Sequence, residues 1–578
     1  MSQSPNKSEI IQAKKYFSKI LKKNPQNTEA LKNLAIISLK QNQIKDAEFY
    51  LKDFLSLTFD LPMMQNFLQV LSIQKKWSEL IDNAKNLMLQ KRYNQNILII
   101  YAIGLREAGE FNEAKIIFSK LITEFPNFVQ GYISYGFSLN ASGFYSKAIQ
   151  IFLKGLGIEK DSFELNYNLG LSYNNLNDYQ NAIKYLKIAS DINPKYFDLW
   201  MTIAVAYNKL LDYKSSDDAL FHCEEIESNN YLLASQKAGI YRSRENLVEA
   251  EKFYYQALKI KPADIETSVE MAITKLMLGK YKEAVNYYRY RVIRNEKYGI
   301  FNDFDLPDLY ENDPIIIAYE QGIGDQLLYF RLIPEFLNHF KNVTYICLDK
   351  TFSIFSNLVK GIKVIKESDY FENNKNYQNG HKKINLGSIL NYIPDIEKAL
   401  HQVNNLNFKR YKNLKSNRKK IKIGISWRST NQKMENYKNL TLNELSPLLE
   451  FYDVSYVSIQ YGDVEKELDE FNKSIKNKIS YDPKIDLYND LDASVNIIAD
   501  CDLIITTSNL NAHLAGTLNV PTILLTPYGY GKLWYWYDDN KISRWYSSVE
   551  FVKQDEDYSW ENAILKAQKK ISRLMKNY

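Results

Sequence analysis

Cysteine is scarce: Cys223, Cys347 and Cys501 are the only three in 578 residues, far apart, with no CxxC pair and no His-rich cluster. That spacing excludes a disulfide framework and a structural zinc site. Long apolar runs are also missing. No stretch approaches the roughly 20 apolar residues that cross a bilayer, and the opening MSQSPNKSEI has no apolar h-region. The expectation is a cytoplasmic protein without a membrane span. An excess of one charge sign is absent too, since 74 Lys and Arg against 68 Asp and Glu leave +6. So dilute a surplus is not the footprint of a nucleic-acid binder. At 45% hydrophobic and 25% charged residues, disordered and collagen-like classes are excluded. What is present is length enough for three or four packing units at roughly 100–200 residues each.

The first half is periodic. Ala114 lies in FNEAKIIF, Ala148 in YSKAIQIF and Ala182 in YQNAIKYL, with 148 − 114 = 34 and 182 − 148 = 34. Ser216, Ala250 and Ala284 continue at the same step, and Ala47 and Ala13 extend it backwards, with one 33-residue step through Leu80. A second register, Ala102, Gly136, Gly170, Ala204, Ala238 and Ala272, keeps the same period, and Pro126, Pro194 and Pro262 recur at twice it. The physical sense is a pair of antiparallel helices per repeat, with a small residue where helices cross closely and a proline beyond the second helix. The pattern resembles the tetratricopeptide repeat, about eight units from Ser8 to near Asn295. Such an array stacks neighbour on neighbour into a superhelix whose groove suits a protein segment. Tyr173, Tyr207 and Tyr241 either line that groove or pack between helices. His222 and Cys223 read as ordinary helix residues.

After Asn295 the period stops, and EKYGIFNDFDLPDLYENDP carries the turn residues of a linker. The expected organisation is a repeat solenoid over 1–295, a linker over 296–313, one Rossmann-like half over 314–412 and a second over 413–578. In the first half PIIIAYE, VTYICL and KVI alternate with helices, as buried parallel strands do. A polar stretch, YFENNKNYQNGHKK, interrupts it, and the basic FKRYKNLKSNRKK reads as a solvated connector. In the second half IKIGISW, VSYVSIQ, DLIITT and PTILLTP are strands, and WENAILKAQKKISRLM is the closing helix. Ligands of open parallel sheets bind beyond the carboxyl ends of strands, so two such sheets imply a cleft between them.

Each candidate motif follows a strand. Glu320-Gln321-Gly322-Ile323-Gly324-Asp325-Gln326 joins a strand to a helix. Gly322 and Gly324 would let a ligand approach backbone N–H groups at the helix amino terminus, and Asp325 either projects into the cleft or caps the helix. The absence of GxGxxG argues against a dinucleotide site. Gly424-Ile425-Ser426-Trp427-Arg428-Ser429 is followed by Lys438-Asn439-Leu440. Ser458-Ile459-Gln460-Tyr461-Gly462-Asp463 forms a third turn, and Asp502-Leu503-Ile504-Ile505-Thr506-Thr507-Ser508-Asn509-Leu510-Asn511-Ala512-His513-Leu514-Ala515-Gly516 a fourth.

Together with the lead-in NYYRYRVI, these blocks resemble the bacterial heptosyltransferases, and more closely the branch in which a transferase-like domain follows tetratricopeptide repeats. The resemblance implies a GT-B architecture, an α-solenoid followed by two facing Rossmann-like domains. It implies Asp325 as base on an acceptor hydroxyl, and Arg428 and Lys438 against the donor's diphosphate. It implies that Gln460, Gly462 and Asp463 face the nucleotide, with Asp463 or Glu465 accepting a ribose hydroxyl, and that the turn and helix with Ser508, Asn509, Asn511 and His513 hold the donor. His513 either hydrogen-bonds the donor or pins the turn. The family's aspartate and threonine are replaced by Ser508 and Asn509, which puts donor identity and turnover in question. Trp534-Tyr535-Trp536, Arg544-Trp545-Tyr546 and Val552-Lys553-Gln554 resemble the family's late W-x-W, W-Y and R-Q succession, with the aromatics as stacking or packing residues.

The expected function is transfer of a sugar from a nucleotide-diphosphate-sugar to a hydroxyl acceptor with inversion, without a metal or a resident cofactor. The repeats would recruit a protein acceptor or partner, and removal of residues 1–290 would spare donor binding. The alternatives are a protein O-GlcNAc-type transferase and a non-catalytic repeat scaffold with a degenerate transferase-like domain.

Overall fold

A computed structural model of the chain describes residues 7–294, 299–377, 380–403, 420–429, 435–537 and 542–575. The basic stretch ending at Lys420 lies, save for that last residue, outside the described residues. The chain divides into two compact units, Met1–Glu227 and Ser228–Tyr578. Among the described residues no helix is long and apolar enough to cross a membrane.

The first unit is helical throughout, in antiparallel pairs such as Val129–Ala141 with Tyr145–Leu156 and Phe163–Asn175 with Tyr179–Ile192. The two small-residue registers fall on the two helices of each pair. Ala102, Ala114, Ala148, Ala182 and Ala204 are buried, as are Gly136 and Gly170. A side chain at Gly136 would overlap the Phe152 ring, and one at Gly170 would come within 2.6 Å of Leu186. Glycine is needed there for close helix crossing and not for backbone freedom. Ser216, the polar member of its register, donates its hydroxyl to the Ala204 carbonyl at 2.9 Å. Pro126 and Pro194 stand just beyond the helices Phe111–Glu124 and Tyr179–Ile192. Tyr173 stacks on Tyr185 with ring centroids 5.6 Å apart, and Lys187 lies over Tyr207, so these tyrosines pack between helices. Cys223 is buried, while His222 stacks on Trp200 at 4.1 Å.

The second unit opens with more helices of the same period, from Tyr231–Ser243 to Tyr281–Tyr288 and the short Arg291–Arg294. A four-stranded parallel sheet follows, ordered β3-β2-β1-β4, with β1 Pro314–Ala318, β2 Asn342–Cys347, β3 Lys363–Lys366 and β4 Lys382–Asn385. A six-stranded parallel sheet comes next, ordered β10-β9-β8-β5-β6-β7. Its strands are β5 Ile421–Ser426, β6 Val454–Ser458, β7 Ile479–Ser480, β8 Leu503–Thr507, β9 Thr522–Thr526 and β10 Val549–Lys553. This is an α/β region. One apolar cluster joins Ala272, Tyr281 and Ala284 of the last repeat helices to Ile315 and Ile317 of β1 and to Ile504 of β8. The opposite face of the second sheet, with Ile423, Ile425 and Ile505, is covered by Ala563, Ala567 and Ile571 of the helix Glu561–Met575.

The helices of residues 228–294 are therefore part of the second unit's core. Glu245, between two of them, accepts from Lys532 at 3.2 Å and the Gly529 N–H at 3.2 Å, and pairs with Lys553. A truncation after residue 290 would strip this core, so a cut that leaves the second unit whole falls near residue 227 instead. Between β1 and β2 the segment LLYFRLIPEFLNHF falls on two helices, Ile323–Phe330 and Ile333–His339, divided where Pro334 begins the second.

Candidate functional site

Both sheets change strand direction of growth beside their first strand. In the first sheet the chain runs outward from β1 to β3 and returns on the other side as β4; in the second it runs from β5 to β7 and returns as β8. The crevices at these switch points, β1/β4 and β5/β8, are where open parallel sheets bind ligands. The Glu320–Asp325 turn follows β1, Trp427 and Arg428 follow β5, and Ser508 and Asn509 follow β8.

The turn after β1 is tight. Gln321 adopts a left-handed φ of 60°. Gly322 caps the helix Ile323–Phe330, and with no side chain of its own only one half of a capping box forms, the Gly322 N–H donating to Asp325 Oδ2 at 3.2 Å. Asp325 keeps part of its surface open to a cavity of about 420 Å³. Burial pushes its pKa up to about 6; the Gly322 N–H and the Tyr535 hydroxyl act against that rise, and the charge of Glu320 adds to it. Asp325 is thus ionised at neutral pH and basic enough to take a proton.

The same cavity is lined from the second sheet by Lys438, Ser429, Ser508, Asn509 and His513, and by Tyr535 of the turn Trp534–Trp536. Lys438 is buried, donates to the Ser508 carbonyl at 3.2 Å, and has its pKa lowered by burial to about 8, with Asp325 opposing the shift. Ser508 accepts the Trp536 indole N–H at 3.0 Å. His513 is buried with its pKa depressed to about 3 by burial and then by Lys438, so it is neutral; its Nδ1 lies 3.0 Å from the Tyr546 hydroxyl. Gly324 sits against this ring, where a Cβ would come within 2.7 Å of His513 Cδ2. The glycine makes room for the His513 ring, and with Gly322 it borders the cavity. Gly516 plays the same part for the Tyr546 ring.

Other residues serve the frame. Gln460 is buried, and its Oε1 accepts from the Ser426 hydroxyl at 3.0 Å and from the Trp427 and Arg428 N–H groups, each at 2.9 Å. Asn509 accepts from the Asn511 N–H at 3.0 Å and donates to the Ser426 hydroxyl at 2.7 Å and the Arg428 carbonyl at 3.2 Å. Asn511 donates to the Ile459 carbonyl at 2.7 Å. These amides tie the ends of β5, β6 and β8 together. Asn509 keeps one face on the cavity; Asn511 does not line it, and Gln460 lines the adjoining second cavity instead. Arg428 also lies outside it, donating to the Asp463 carbonyl at 2.8 Å and pairing with Glu467 at 2.9 Å. Gly462, with φ of 92°, Asp463 and Glu465 line a second cavity of about 750 Å³ that shares Tyr461, Leu487 and Tyr488 with the first.

Lys350, absent from the sequence reading, lines the first cavity with its ammonium 4.6 Å from the Tyr488 ring centroid. Its signal was position: it stands three residues beyond the carboxyl end of β2. Among the described residues no cluster of His, Cys, Asp or Glu has the makings of a metal site.

Comparison with known families matches tetratricopeptide-repeat models over residues 9–69 and 163–196. The amino-terminal helices are tetratricopeptide repeats. Among curated proteins, Protein FlbA of Caulobacter vibrioides is 23% identical over 273 residues, which take in 43% of this chain and 44% of that protein. The chain thus spans less than half the length of that relative. A tetratricopeptide repeat protein from Parabacteroides merdae has 16% identity and a TM-score of 0.36, covering 43% of this chain and 99% of its own. A thermophilic tetratricopeptide repeat protein of Thermus thermophilus has 20% identity and a TM-score of 0.28, covering 32% of this chain and 100% of its own. MamA from Desulfovibrio magneticus has 18% identity and a TM-score of 0.27, covering 29% of this chain and 95% of its own.

Proposed function

We propose that the α/β region is a GT-B glycosyltransferase of heptosyltransferase-like type, moving a sugar from a nucleotide-diphosphate-sugar to a hydroxyl acceptor with inversion. The observation that carries this reading is one cavity lined by Asp325 from the first sheet's switch point and by Lys438, Ser508 and His513 from the second's. Asp325 takes the proton of the acceptor hydroxyl as its oxygen attacks the anomeric carbon, and the bond from that carbon to the diphosphate breaks. Lys438 offsets the charge developing on the leaving diphosphate, whose own charge would strengthen the lysine's hold on its proton. The amino terminus of the helix Leu510–Thr517, opened by Ser508 and Asn509, adds backbone N–H groups to the same task. Gly462, Asp463 and the adjoining larger cavity accommodate the nucleoside, with Tyr461 and Tyr488 between the two spaces. Arg428 joins only if it leaves Glu467. The tetratricopeptide repeats recruit a protein acceptor or partner.

The test is a panel of nucleotide-diphosphate sugars, followed by thermal stabilisation and by donor hydrolysis or transfer. Stabilisation with turnover supports the enzyme, and the sugar accepted decides between heptosyl-type and N-acetylglucosaminyl transfer. A protein that none of the panel stabilises, or that binds without turnover, would leave a scaffold.

A further inference from the structure

We propose that the last repeat is a working part of this site: Arg291 and Tyr288 are positioning residues that fix the Glu320–Gln321–Gly322 turn and, through it, the direction of the Asp325 carboxylate. Arg291 and Glu320 are both buried, at 3% and 0% exposure. The guanidinium forks onto the carboxylate, with Nη2 at 2.9 and 3.2 Å and Nε at 3.3 Å from its oxygens. Its remaining donors reach the Ser388 hydroxyl at 2.8 Å and the Tyr288 carbonyl at 3.2 Å. A Cβ at Gly387 would overlap the Glu320 carboxylate, so the seat is closely fitted. A buried ion pair is a poor way to gain stability, because desolvation offsets most of the attraction, and an apolar pair would join repeat to sheet as firmly. What the fork supplies is geometry, two fixed vectors on the residue that opens the turn. The next residue, Gln321, is in the left-handed region, which a residue with a Cβ enters at a cost, and its amide donates to the Tyr288 hydroxyl at 3.3 Å. The same hydroxyl bonds that of Tyr329 on the helix that carries Asp325. The last repeat thus grips the turn at its start and the helix beyond it.

The kinetic arm of the test rests on the glycosyl-transfer reading, and the spectroscopic arm does not. In the full-length protein, Tyr288→Phe and Arg291→Lys keep the bulk at each site and remove the directed bonds. Each is expected to lower kcat about tenfold while KM for the nucleotide-diphosphate-sugar stays within about twofold, as misplacement of a reacting group does. Independently, the carboxyl infrared band of Asp325, identified by difference against Asp325→Asn, is expected to move in Tyr288→Phe, although Glu320, Tyr535, Lys438 and neutral His513 still face it. If the wild type turns over while kcat and band are unchanged in both variants, the positioning role is overturned. If the band moves but no sugar nucleotide is turned over by the wild type, positioning stands and glycosyl transfer falls. No turnover and no band shift overturns both.

Discussion

The helices of the first unit and the α/β region of the second are built on opposite uses of a buried position. In the first unit a position has the same task every 34 residues: Ala114, Ala148 and Ala182 are all buried small residues at a helix crossing. In the second unit the buried polar groups are instead joined to particular neighbours: Arg291 pairs with Glu320, Lys438 reaches the Ser508 carbonyl, and Gln460, Asn509 and Asn511 converge on the Ser426 hydroxyl. Repetition keeps the effect of a lost contact local in the first, since each pair leans only on its neighbours. The second concentrates directed bonds on two strand-end crevices, where one displaced group disturbs many.

The sharpest division between the two regions is chemical. Asp325→Asn is expected to reduce transfer by about 10²–10⁴-fold, the range for loss of a general base, with donor-induced stabilisation retained in the panel assay. Transfer that persists would remove the base from this site. In the repeats, Phe152→Ala removes the ring that fills the space left by Gly136, and is expected to destabilise by about 3–5 kcal/mol in chemical denaturation. Donor-induced stabilisation should be unchanged in that variant; its loss would break the distinction between the regions.

The Asp325 carboxylate also opposes stability above its shifted titration. Its folded pKa of about 6 lies above its ordinary value of 3.8, so the native state binds the proton more tightly and stability falls as pH rises from about 4 to 6. Asp325→Asn should then stabilise the protein by roughly 1–3 kcal/mol above pH 6, with the gain vanishing near pH 4, read as melting temperature against pH. A gain that did not depend on pH would mean the carboxylate is not strained by its surroundings. The transfer rate should fall as pH drops through 6, for the same reason. The smallest effect is expected at Gly143, a helix-terminal glycine with φ of 78° and open space around it. Gly143→Ala should cost only about 1 kcal/mol of backbone strain, far less than Phe152→Ala in the same repeat.

The strands β1, β2, β5, β6, β8 and β9 were legible as apolar runs between turn signals, because strands buried on both faces are continuously apolar. β4 was not. KKIN is short and polar, and only Ile384 and Asn385 are buried, yet this strand creates the first switch point. β10, Val549–Lys553, was hidden likewise, since its end was read only as the motif Val552-Lys553-Gln554. Among the candidate site residues, Asp325, Lys438, Ser508, Asn509 and His513 do share a cavity. Gly324 borders that cavity and also sits close against the His513 ring, Gln460 braces the ends of β5 and β6 while lining the second cavity, and Asn511 is taken up by the backbone it braces. Spacing to a strand end tells that a residue reaches a crevice; it does not tell which of its atoms are already bonded.

The sequence alone determined the repeat, its period and its crossing residues, since these follow from local helix geometry and from a side-chain size that must recur. It also determined most of the apolar strands, though not β4 or β10, and the residues at their ends. Tertiary structure decided the rest: that the last repeats lie in the same core as the sheets, that Arg291 meets Glu320 from 29 positions away, and that Asp325 and Lys438 line one cavity. Those are long-range pairings, and a burial or a hydrogen bond between distant segments has no period through which a chain could announce it.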